Sequence, residues 1–156
     1  MKKELVERYR HRKVISEKEM GMLLFKRDGT DIEKRNEELL CYSIYQLERF
    51  CNNNDVSFDE MYNKVDENEL IELPNQCTNV SSLRVLLILY FCSLKNSILS
   101  EQGKKVVTIS VYEYDKVLKY YRENNLSPNN AGIIISERLN IPIEKVRFVL
   151  EEQGIF

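Results

Sequence analysis

The chain has 156 residues, 43% of them apolar and 31% charged, and a formal net charge of −2. That balance supplies enough apolar surface for a packed core and excludes intrinsic disorder as the dominant state. A pI of about 5.6 also excludes a general nucleic-acid coat, whose footprint is strongly basic.

The charge is unevenly spread. Residues 1–35 carry 11 Lys/Arg and 7 Asp/Glu, residues 36–75 carry 2 and 10, and residues 76–156 carry 10 and 8. Solvated helix faces account for this most simply, and a local anion-binding surface is the alternative. The cysteines at 41, 51, 77 and 92 form no C-x-x-C pair, and His11 is the one histidine. Zinc needs clustered ligands at short spacing, so neither a metal nor a cofactor is expected. Cys41, Cys51 and Cys92 lie in apolar stretches and act as small hydrophobes. No apolar h-region follows Met1-Lys2-Lys3-Glu4, and a reducing cytoplasm is the expected location.

Four patterns of Ser or Thr followed three residues later by Glu predict helix starts: Ser16/Glu19, Thr30/Glu33, Ser57/Glu60 and Ser110/Glu113. A weak helix is expected over about 3–14, and a short one from Ser16 to Phe25. Asp28-Gly29 then breaks the chain. A strong helix is expected over 31–51, with Leu40, Ile44, Leu47 and Cys51 inward and Asn52-Asn53-Asn54 ending it. A short helix follows Ser57, with Met61, Tyr62 and Val65 inward. Residues 66–79 are acidic, contain Pro74 and read as a connector.

Asn79 is a plausible cap for a helix over about 80–100. Its run Val85–Cys92 is apolar on every side, far short of the roughly 20 residues that span a bilayer. It is expected to be buried within protein, with no membrane partner. Gly103 turns the chain. Lys105–Ile109 is the one β-rich segment, a short strand or an extended lead into a helix over 111–123. That helix puts Val111, Tyr114, Val117, Leu118 and Tyr121 on one side. The expected fold is therefore mostly α: a multi-helix bundle around a buried central helix (80–100) with at most one short β segment. The expected division is 1–75 and 76–156, unless the two form one continuous domain.

The last thirty residues are the most informative. Ser127 can cap a helix whose first position is Pro128. Ile135-Ser136-Glu137-Arg138-Leu139-Asn140-Ile141 then reads as aliphatic, small, two polar, leucine, turn residue, aliphatic. Asn140 tolerates the left-handed backbone such a turn needs. Pro142 starts the next helix, Val146, Val149 and Leu150 point inward, and Gly154 ends it. With the helix before it, this segment resembles the three-helix core of helix-turn-helix and winged-helix proteins, over about 111–156. No wing hairpin is read before Phe156, so the expected match is to the wingless form unless Lys105–Ile109 pairs with another segment.

The resemblance implies a double-stranded DNA partner, with Lys145, Arg147, Arg138 and Lys116 as the expected DNA-binding residues. Arg147 and Lys145 could read guanine edges. The presumed recognition helix is weakly cationic, however, with Glu144, Glu151 and Glu152 beside Lys145 and Arg147. Phe148 falls off the inward face and, with Phe156, is the expected interaction site for a protein partner or a second copy.

No Gly-rich phosphate loop and no Ser-His-Asp or Cys-His arrangement occurs in the sequence, so the chain is not expected to be an enzyme. Two function classes remain. One is a small DNA-binding transcriptional regulator from a phage or mobile element, a homodimer with phosphate contacts from Arg8, Arg10, Arg12 and Lys13. The other is a protein-protein interaction module, an inhibitor or adaptor, that uses the same fold without DNA.

Overall fold

A computed structural model describes residues 7–10, 12–25, 31–104 and 106–155. Among them the protein is mostly α-helical, with no strand. Residues 7–10 are helical and close with a turn from Arg12 N–H to the Tyr9 carbonyl (3.2 Å), well short of residue 14. Then come α1 (Glu17–Phe25), α2 (Ile32–Asn54), α3 (Phe58–Lys64), α4 (Glu67–Glu72) and a 3-10 turn (Leu73–Gln76). They are followed by α5 (Val80–Glu101), α6 (Val111–Glu123), α7 (Pro128–Leu139) and α8 (Ile143–Glu152).

The chain divides into two compact units, Met1–Lys95 and Asn96–Phe156. The segment 66–79 lies inside the first unit and is not a bare connector. Asp66 caps α4 by accepting from Asn68 N–H (2.9 Å), and Leu70, Leu73 and Pro74 are buried.

In the first unit α2 is the enclosed helix. Residues 38–44 are buried without interruption, whereas the run Val85–Cys92, expected to be enclosed on every side, is only partly buried. Two polar side chains in this stretch bond within the unit, whereas the Tyr42 hydroxyl and Glu38 Oε2 have no hydrogen-bond partner among the described residues. Ser43 donates to the Leu39 carbonyl (2.8 Å), and Glu38, 5% exposed, pairs with Arg12. α5 instead buries one face: Leu83, Leu87, Ile88, Phe91, Cys92 and Ile98 are buried, while Val85, Leu86 and Leu89 are half-buried. By length and composition alone α5 could cross a membrane, and one third of its most apolar window is buried. Its first part meets α2 where Phe91 tilts against Phe50 with ring centroids 5.8 Å apart. The Tyr90 hydroxyl accepts from Asp66 N–H (2.9 Å).

Helix ends follow the caps with local exceptions. Asp31 accepts from Glu33 and Lys34 N–H at the start of α2; the expected cap Thr30 lies outside the described residues. The asparagine run does not stop α2 but forms its last turn. Asn54 donates to the Phe50 carbonyl (2.9 Å), and the terminator is Asp55 in the left-handed region at φ 52°. Asn79 caps α5 as expected, accepting from Ser82 N–H (2.8 Å).

Candidate nucleic-acid interface

The second unit is built on three mutually packed helices. α6 contributes Tyr114, Val117 and Leu118, α7 contributes Ala131 and Ile135, and α8 contributes Val146, Val149 and Leu150. Each of the three meets the other two. Val111 and Tyr121, expected on the inward side, are not buried: Val111 is 41% exposed and Tyr121 half-buried. Lys105 lies outside the described residues. Val106 to Ile109 form an extended lead rather than a strand, held where Asn96 donates to the Val107 carbonyl (2.7 Å).

Ser110 and Glu113 form the full reciprocal capping box of α6. Ser127 stands at the start of α7, but its hydroxyl makes no cap. Its carbonyl instead accepts Asn130 and Ala131 N–H (3.1 and 3.0 Å), and Pro128 at the first position lacks only an N–H that has no partner within the helix. The α7–α8 turn is the tight one expected. Asn140 sits at φ 54°, ψ 43°, and both its N–H and that of Ile141 reach the Ser136 carbonyl. The Ser136 hydroxyl donates to the Ile141 carbonyl (2.7 Å), so the small residue also ties the turn. The Pro142 carbonyl accepts Lys145 and Val146 N–H and opens α8.

The four expected DNA-binding residues occupy different settings. Arg138 and Arg147 are exposed, and the Arg147 stem runs beside Gly132 of α7. Lys116 is half-buried with its ammonium over the Tyr112 ring, 4.8 Å from the centroid. Lys145 is drawn inward. Its ammonium donates to both oxygens of Glu113, at 2.9 and 3.2 Å, with each side chain about a quarter exposed. That ammonium, followed by the Ser110 donors, holds the Glu113 carboxyl below the usual carboxylate range against a smaller opposing effect of burial. Phe148 is half-buried on α8, and Phe156 lies outside the described residues.

Sequence reasoning did not find the Lys145–Glu113 pair, because its members are 32 residues apart and Glu113 already served a local cap. It also missed Ile133, 53% exposed on α7, and Tyr112, 68% exposed on α6, as outward apolar surface.

The basic N-terminal patch is compensated within the first unit. Arg8 pairs with Glu37 (2.5 Å), Arg10 with Glu48, and Arg12 with Glu37 (3.1 Å) and Glu38. The Arg10 guanidinium also lies 5.0 Å from the Phe58 ring centroid. Among the described residues no group of three His, Cys, Asp or Glu side chains could hold a metal; His11 lies outside them. No protein-family model, no curated protein and no solved structure matches the chain.

Proposed function

We propose that the protein is a cytoplasmic, non-enzymatic transcriptional regulator whose α6–α8 unit binds double-stranded DNA. The carrying observation is the tight α7–α8 turn with Asn140 in the left-handed region, which leaves Arg147 on the outward side of α8 while Val146, Val149 and Leu150 close the core. Exposed Arg138 supplies a second cation on the adjoining helix. Binding is modest and strongly salt dependent, since few cations are free to displace counterions.

Fluorescence anisotropy with a labelled duplex pool, over a range of salt, tests this. Arg138→Ala with Arg147→Ala should weaken binding and flatten the slope of log affinity against log salt by about two units. Lys145→Ala should do less, because that charge is already spent on Glu113. No detectable binding at low salt, or a slope unchanged by the double variant, refutes the reading.

The Lys145–Glu113 pair favours a second reading, a protein-interaction module, because it removes a cation from the recognition helix. Exposed Ile133 and half-buried Phe148 would then face the partner.

A further inference from the structure

The first unit contains a cleft of about 530 Å³ that plays no part in the DNA reading. That volume is within the range of small-molecule sites, roughly 300–1,000 Å³. Four arginines line it, Arg10, Arg12, Arg49 and Arg84, against two carboxylates, Glu17 and Glu48. Arg10 is tied to Glu48, Arg84 to Glu17 (3.0 Å), and Arg12 to Glu37 and Glu38 beyond the lining. Arg49 has no ion pair or hydrogen bond among the described residues. The lining itself therefore carries more cations than carboxylates, and among the described residues the Arg49 guanidinium is uncommitted.

One donor buried in the lining is also unspent. Tyr42 is 3% exposed, and its hydroxyl has no hydrogen-bond partner; the Gln46 amide beside it falls short of bonding geometry. Native proteins leave few buried polar atoms unpaired, because such an atom has given up its hydrogen bonds to water and gained none. An acceptor-rich anion would satisfy it. Glu17 acts on the Tyr42 hydroxyl most strongly, and Arg84 and Arg49 oppose it, so charge of both signs surrounds the hydroxyl. Tyr45, 45% exposed, adds an aromatic surface to the lining. Guanidinium forks match phosphate oxygens, and a planar ring stacks on an aromatic side chain.

We propose that this cleft binds a nucleoside monophosphate, its phosphate held by Arg49 and the Tyr42 hydroxyl and its base resting on Tyr45. The ligand is small and is distinct from the duplex assigned to the second unit.

Isothermal titration calorimetry of the full chain, with AMP, GMP, CMP and UMP as probes and inorganic phosphate and adenosine as controls, tests it. At least one nucleotide should bind, more tightly than inorganic phosphate or adenosine. Arg49→Gln should weaken that binding about tenfold, the scale of one lost charged contact, without changing thermal unfolding, because its side chain is exposed. Tyr42→Phe should weaken it several-fold while leaving the unfolding temperature unchanged or raised. No heat from any nucleotide at millimolar concentration overturns the proposal. So does binding that neither variant changes, or binding of inorganic phosphate as tight as that of every nucleotide.

Discussion

Glu113 serves two purposes at once, and a double-mutant cycle separates them. Its carboxylate completes the capping box on Ser110 and receives both hydrogen bonds from Lys145. Glu113→Gln keeps a side chain able to close the box but removes the charge, and Lys145→Met keeps the apolar stem. At 2.9 Å and an effective dielectric of about 20, the gross attraction is roughly 6 kcal/mol. Desolvation and the ordering of a lysine take back most of it. Exposed pairs retain about 0.2–1 kcal/mol, and a doubly bonded pair only a quarter exposed belongs at the top of that range. Urea unfolding of the parent, both single variants and the double variant at neutral pH should give a coupling of about 1 kcal/mol. The pH dependence has a fixed sign. The Glu113 carboxyl is depressed in the folded state, so its contribution is complete above the unfolded carboxylate value and is lost as pH falls through the folded one. Lys145→Met should remove most of that acid-side loss. A coupling below about 0.3 kcal/mol, with an unaltered acid limb, would show that the two groups contribute nothing jointly and that Lys145 is free for another partner.

Asn140→Gly should leave stability within about 1 kcal/mol of the parent, whereas Asn140→Val should cost more, because a β-branched residue is strained at φ 54°; thermal unfolding distinguishes them. Under native labelling with a thiol-reactive disulfide, Cys77 should react first. Cys41, Cys51 and Cys92 are buried, and burial pushes the Cys51 thiol up to about 11; four equally fast thiols would contradict the packing. Phe148→Ala should lower stability by less than the roughly 3–5 kcal/mol of a fully buried aromatic, since the ring is half-buried. If stability is unchanged but sedimentation shifts, Phe148 faces a second chain; if neither changes, it is a stray surface aromatic.

Local signals carried the second unit. Ser110 with Glu113, Pro128, Asn140 and Gly154 each specify a helix start or stop within a few residues, and all of those boundaries lie where the spacing puts them. The first unit was less legible because its burial depends on distant partners. The run Val85–Cys92 is the most apolar, yet α2 is more enclosed, since Glu38 and Ser43 hide among its buried positions by bonding to Arg12 and the Leu39 carbonyl. α4 was missed because six residues carry too little periodicity, and its Asp66 cap lacks the Ser/Thr pattern. At the candidate interface, exposure of Arg147 followed from helical phase alone. The neutralisation of Lys145 required knowledge of which helix lies across from it.

The last turn of α8 is fastened from two directions. Gly154, at φ 69°, gives its N–H to the Glu151 carbonyl (3.0 Å), and Ile155 gives its own to Leu150 (3.0 Å). The Gln153 side chain donates to the hydroxyl of fully buried Tyr114 (2.8 Å). Helix ends ordinarily fray, and their amides exchange with solvent through small local openings. Here the opening that frees the final turn must also break a contact to a core residue in the first turn of α6. Amide exchange at Gln153 and Ile155 should therefore be slow for a helix end, tracking the opening of the three-helix unit rather than the fluctuation of a free tip.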